Sequence, residues 1–107
     1  MILGKDSPII KDKKVAICQS LSGTGALRIS AEFLAQYNPG VDIYCSDPTW
    51  GNHHAIFAKA GLKTHKYRYL NKTMGLDLDG MLEDLGKAKE GSVFVLHTGK
   101  LCCIVYD

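Results

Sequence analysis

The chain has 107 residues, of which 46% are hydrophobic and 22% are charged. That length supplies one modest hydrophobic core and is below the size at which two domains are expected. The 13 basic and 11 acidic side chains leave a net charge of +2, which gives no electrostatic basis for binding nucleic acid. No apolar run is long enough for a membrane span or a signal peptide. We therefore expect one small domain with neither nucleic acid nor membrane as a partner.

The first elements in chain order are a short helix and a short strand. Ser7 and Pro8 suit a helix start, because proline is favoured in the first turn. The apolar run from Val15 to Cys18 then predicts a buried strand.

A loop of small residues follows that strand and leads into an amphipathic helix. The helix places four residues on one face: Leu27, Ala31, Leu34 and Ala35. Ser22 and Thr24 carry hydroxyls, and Gly23 allows the backbone to approach a ligand. Together with the exposed N–H groups at the positive end of a helix, they favour a phosphate or a carboxylate. An ordinary helix cap remains the alternative, because Ser, Thr and Gly begin many helices.

A second polar loop, residues 46–54, follows a predicted strand at Val41–Cys45 and contains the only tryptophan, Trp50. If the strands are parallel, both loops lie at the carboxyl edge of the sheet, where ligands bind in open α/β folds. An indole beside an anion site suggests a planar ligand, although a lone tryptophan also serves as a packing anchor. By itself, His53 in this loop is typical of a solvated histidine near a helix start.

The remaining pattern alternates helices and strands. It predicts a helix at Asn52–Ala60 ended by Gly61, followed by a strand at Thr64–Tyr69 and a loop at Leu70–Gly75. A further helix is predicted next, and its core face consists of Leu78, Met81, Leu82 and Leu85. The last predicted element is a strand at Val93–Leu96 that is covered on both faces. Such alternation indicates an α/β fold with a partial, mostly parallel sheet and right-handed crossovers.

The four cysteines, at positions 18, 45, 102 and 103, lack the spacing of a zinc site. We therefore expect no metal. Cys18 and Cys45 fall in apolar runs and are expected to be buried free thiols, which favours a reducing, cytoplasmic location, with a mitochondrial one still open. A nucleotide-binding P-loop at Gly99-Lys100 is a poor alternative, because the required glycine spacing is absent.

Four segments resemble, in order and spacing, the large domain of aspartate aminotransferases, which are fold type I pyridoxal-phosphate enzymes. They are residues 19–37, 47–62, 67–85 and 91–97. The narrowest motifs are SGTGALR at residues 22–28 and PTWGNH at residues 48–53. The resemblance runs from Val15 to about Thr98, so residues 1–98 are interpreted as a piece of the large, cofactor-binding domain and residues 99–107 as a divergent tail.

The resemblance implies a role for each matched residue. Ser22, Gly23 and Thr24 would hold the phosphate of pyridoxal 5′-phosphate, and Trp50 would stack on its ring and reach a substrate carboxylate. His53 would support the aspartate that pairs with the pyridine nitrogen. The implied reaction is amino transfer between L-aspartate and 2-oxoglutarate, giving oxaloacetate and L-glutamate, in a homodimer.

The resemblance also implies what this sequence lacks. None of its lysines matches the position of the Schiff-base lysine, so no catalytic residue is assigned and the chain alone is expected to be inactive. The abrupt tail suggests a truncated gene model, a frameshift or an unspliced intron. The alternative is a non-catalytic product that binds the cofactor or a full-length subunit. Either product would expose apolar surface and sheet edges, and we expect it to be marginally stable or insoluble.

Overall fold

A computed structural model describes the backbone of residues 6–98 and 101–106 and the side chains of residues 6–96. The described elements are α1 (Pro8–Lys11), α2 (Ser22–Tyr37), β1 (Asp42–Asp47), α3 (Asn52–Lys59), β2 (Lys63–Arg68), α4 (Leu78–Lys87), β3 (Val93–Thr98) and β4 (Leu101–Tyr106). Two starts agree with local sequence signals: α1 begins at Pro8, and α4 is capped by Asp77, whose carboxylate accepts a hydrogen bond from Gly80 N at 3.0 Å.

The described strands form one sheet in the order β2-β1-β3-β4. β1 pairs in parallel with both β2 and β3, and β4 pairs antiparallel with β3. The predicted α/β fold with a mostly parallel sheet is therefore confirmed. β4 lies in the segment interpreted as a divergent tail, for which the sequence pattern predicted no strand.

Helices cover the two faces of the sheet unequally. The chain moves from β1 to β2 and then back past β1 to β3, so right-handed crossovers place α3 and α4 on opposite faces. α2 packs beside α3. The core lies between these two helices and the sheet, and its buried members are Leu27, Ala31, Leu34, Val41, Ile43, Cys45, Ile56, Phe57, Leu62, Val93 and Val95.

The predicted inner face of α2 is confirmed. Leu27, Ala31 and Leu34 are buried, and Ala35 packs against the core. The predicted end of α3 at Gly61 is confirmed as well: Gly61 follows the C-cap residue Ala60, and its φ angle of 81° favours glycine. Gly40, in the turn between α2 and β1, also has a positive φ angle, of 83°.

The strand predicted at Val15–Cys18 is wrong. Residues 14–20 form no regular element, Ile17 is 89% exposed, and Cys18 is exposed rather than buried. The physical reason is pairing: a strand needs a neighbour to satisfy its backbone groups, and none of the described strands lies beside this segment. Cys45 lies in β1 and is buried as predicted.

The helix α4 is confirmed, but its predicted core face is largely bare. Leu78 and Leu82 are 51% and 56% exposed, and Met81 and Leu85 are only partly buried. α4 is held to β2 by polar contacts, in which Arg68 Nε donates to Asp84 Oδ2 at 2.9 Å and Arg68 N donates to the same oxygen at 2.8 Å. The helical spacing of the apolar residues was predicted correctly, but no described element covers Leu78 and Leu82.

The strand β3 is confirmed and is covered on one face only. Val93 and Val95 are buried against the core, whereas Phe94 and Leu96 on the other face are only partly buried. The prediction that both faces of β3 are covered is therefore wrong. α4 contacts mainly β2, which leaves the neighbouring part of that face open.

Candidate functional site

The amino end of α2 is an uncapped helix start. Leu21 is the N-cap residue, and no side chain caps the helix. Since the first turn of a helix has no internal acceptors, the backbone N–H groups of Ser22, Gly23 and Thr24 lack partners within α2. All three residues are exposed, and no atom lies within 4 Å of the position a Cβ would take at Gly23. The helix start is open to a ligand.

Ser22 has an unusual backbone conformation at this start. Its φ angle is 60°, in the left-handed region that side chains with a Cβ seldom adopt. The hydroxyl of Ser20 donates to the carbonyl oxygen of Ser22 at 3.3 Å, which gives this turn one local contact. The turn therefore presents its backbone donors in a conformation that ordinary capping does not require.

Chain geometry directs this helix start to the carboxyl edge of the sheet. α2 reverses into β1 through a tight turn in which Val41 N donates to Asn38 O at 3.2 Å. The 16 residues of α2 extend roughly 24 Å, and the six of β1 roughly 20 Å. Since a short turn joins the two elements and both border the same core, we infer that they run in opposite directions and that the start of α2 and the end of β1 lie toward the same edge.

The carboxyl end of β1 carries the aromatic part of the site. After β1 ends at Asp47, a cis peptide bond to Pro48 precedes Trp50. The Trp50 side chain is 46% exposed, and its ring meets that of His53 edge-on at 5.6 Å between centroids, with an interplanar angle of 85°. This packing leaves much of the indole accessible to a planar ligand.

His53 is held inside the fold. Its side chain is only 1% exposed, so the interpretation as a solvated histidine is wrong. The hydroxyl of Thr49 lies 2.6 Å from His53 Nδ1, a hydrogen bond that fixes the ring orientation. No sequence pattern singled out Thr49. Its spacing of four residues from His53, across the start of α3, is the signal that could have identified it.

His54 links α3 to β2, and the sequence analysis gave it no role. Its Nδ1 lies 3.0 Å from Thr64 Oγ1, and its buried Nε2 has no hydrogen-bond partner among the described residues. This contact helps to fix α3, and hence His53, against the sheet.

One charged pair and two cavities lie away from this site. At the opposite end of β1, a hydrogen bond of 2.9 Å between Asp42 Oδ1 and His65 Nε2 lowers the pKa of the aspartate. A cavity of about 140 Å³ lies at the same end, between residues 38–42 and 89–92. A second, of about 310 Å³, lies beside the end of α4. Neither cavity is lined by a predicted site residue.

The family model described as aminotransferase class I and II matches residues 2–100. The cytoplasmic aspartate aminotransferase isozyme 2 of Arabidopsis thaliana is 53% identical over 98 residues, which covers 91% of this chain and 24% of that protein. Other relatives of similar identity carry names that place them in mitochondria or chloroplasts.

Solved structures agree with these sequence relationships. The cytoplasmic aspartate aminotransferase of Saccharomyces cerevisiae superimposes with a TM-score of 0.82 at 52% identity, over 90% of this chain and 24% of that one. An aromatic-amino-acid aminotransferase from Burkholderia pseudomallei, covalently bound to pyridoxal phosphate, gives a TM-score of 0.82 at 46% identity, over 89% of this chain and 24% of that one.

The chain thus spans about a quarter of the length of the relatives and structures that it matches. Among the described residues, no helix is both long and apolar enough to cross a membrane. The same part of the chain holds no group of three or more His, Cys, Asp or Glu side chains arranged to bind a metal ion.

Proposed function

Because this chain belongs to the class I and II aminotransferase family, we propose that residues 22–24 and 49–53 form part of a pyridoxal-phosphate site of an aspartate aminotransferase. The observation that carries the proposal is the uncapped, exposed start of α2, and the half-exposed Trp50 in the loop after β1 supports it. The proposed reaction of a whole enzyme of this kind is amino transfer between L-aspartate and 2-oxoglutarate in a homodimer.

The start of α2 fits a phosphate group. Ser22, Gly23 and Thr24 offer three backbone donors at the positive end of a 16-residue helix, with two hydroxyls beside them. The open space at Gly23 lets an anion reach these donors without displacing a side chain. These residues would hold the phosphate and so set the position of the attached ring.

Trp50 and His53 fit the ring of the same cofactor. The accessible indole offers a stacking surface, and its N–H is a donor for a substrate carboxylate. Thr49 and the edge-on Trp50 hold the imidazole of His53 in place. A fixed imidazole beside the ring site suits a residue that orients the cofactor, and we assign His53 this positioning role. When bound, pyridoxal phosphate supplies an electron-withdrawing ring that stabilises negative charge developing on the substrate.

These residues bind and orient, and none of them transfers a proton to or from the substrate carbon. That step requires a lysine amine, and no lysine of this sequence is assigned to it. We therefore propose that the 107-residue chain contributes cofactor binding and ring orientation without amino transfer.

A titration with pyridoxal phosphate, followed by absorbance and by tryptophan fluorescence, tests the proposal. Trp50 is the only tryptophan, so quenching reports on the proposed site. We expect saturable quenching, and affinity for pyridoxal, which lacks the phosphate, weaker by at least about tenfold, corresponding to about 1.4 kcal/mol. The absence of quenching would overturn the binding site, and equal affinity for the two compounds would overturn the phosphate assignment.

Two variants at one position separate loss of binding from loss of folding. Gly23→Asp places a negative charge where the phosphate would lie, while an acidic residue in the first helical turn favours the helix itself. Gly23→Ala is the matched control, since open space surrounds that position. We expect the aspartate variant to lose quenching at unchanged helicity and the alanine variant to retain it. Amino transfer by the unmodified chain would contradict the proposal that this sequence lacks the catalytic lysine.

A further inference from the structure

We draw no further inference here: the strongest candidate, the exposed apolar stripe that Ile29, Phe33 and Tyr37 form along the outer face of α2, is an unpartnered helix face, and nothing in the structure shows what covers it.

Discussion

The hydroxyl of Thr49 is a hydrogen-bond partner of the buried imidazole of the proposed site. Thr49 Oγ1 and His53 Nδ1 are 2.6 Å apart, and the histidine side chain is almost fully buried. A buried polar atom that loses its hydrogen bond costs about 1–3 kcal/mol, because water cannot replace the missing partner. Thr49 therefore stabilises both the fold and the orientation of the ring.

Thr49→Val tests this contact, since valine has nearly the same shape and lacks the hydroxyl. We expect the free energy of unfolding to fall by about 1 kcal/mol or more, and the NMR signals of the His53 ring to shift. Thr49→Ser is the control that keeps the hydroxyl, and it should retain most of the stability. Unchanged stability and an unchanged ring spectrum in the valine variant would contradict the role of Thr49.

Among the described carboxyl groups, Asp84 has the most strongly lowered pKa. Hydrogen bonds from the Arg68 side chain, and then from its backbone N–H, lower the pKa of Asp84 to about 2. The pKa of the neighbouring Glu83 is also lowered, first by Lys87 and then by Arg68. Because the folded carboxyl groups bind protons less readily than the unfolded ones, their contribution to stability is complete above about pH 5. It is lost as the pH falls from there through about 2.

The pH dependence can be measured by urea unfolding at several values between about pH 5 and 2, across the range set by the aspartate pKa. We expect stability to fall toward the acid end, and the fall to be smaller in Asp84→Asn, which has no carboxyl group to protonate. The control is Asp79→Asn, at an exposed carboxylate of the same helix that makes no ion pair with any described residue. Equal acid sensitivity of the unmodified chain and Asp84→Asn would contradict the assignment.

At the scale of elements, α2 shows two faces of opposite character. Leu34 on the inner face is 2% exposed, whereas its neighbour Phe33 is 56% exposed and contacts Tyr37, with ring centroids 4.7 Å apart and an angle of 40° between the ring planes. Both are large apolar residues in the same helix. The core distinguishes them, because α3 and the sheet provide packing partners for only one face of α2.

Alanine substitutions at these adjacent positions measure that difference. Leu34→Ala removes buried methyl groups and leaves a cavity, so we expect the free energy of unfolding to fall by about 2–5 kcal/mol. Phe33→Ala is the matched control and should cost less than about 1 kcal/mol, because its ring is largely in water already. Chemical denaturation gives both values. Similar losses in the two variants would mean that the outer face of α2 is covered in solution.

At the scale of the whole molecule, many large apolar side chains lie outside the core and are exposed to solvent. The most exposed include Ile17, Leu21 and Met74, at 89%, 91% and 78%. β2 and β4 form the two edges of the described sheet, and each is paired on one side only. Exposed apolar surface and open edges favour association, so marginal stability or insolubility remains our prediction.

Polar substitutions on the outer face of α2 should reduce that association. We expect the double variant Ile29→Gln with Phe33→Gln to scatter less light than the unmodified chain at equal concentration. Its thermal unfolding midpoint should change little, since both residues lie outside the core. A monodisperse, cooperatively unfolding monomer of the unmodified chain would contradict the prediction of marginal stability.

Local pattern predicted most of the elements and the segments that bear the site. The helical spacing of Leu27, Ala31 and Leu34 identified the buried face of α2, and Gly61 identified the end of α3. The motifs at residues 22–28 and 48–53 indicated the family that the comparisons confirmed. Such signals depend on residues close in sequence, so they are readable without the fold.

Tertiary structure decided everything that requires a partner distant in sequence. Val15–Cys18 is apolar but no described strand lies beside it, so it forms no strand. Leu78 and Leu82 of α4 are exposed because no described element buries them. His54 meets Thr64 only because α3 packs on β2. The sequence by itself determined which segments could form helices and strands and which residues could be buried. Which of them are paired and buried depends on the neighbours that folding supplies, because hydrogen bonding and burial are properties of contacts rather than of single residues.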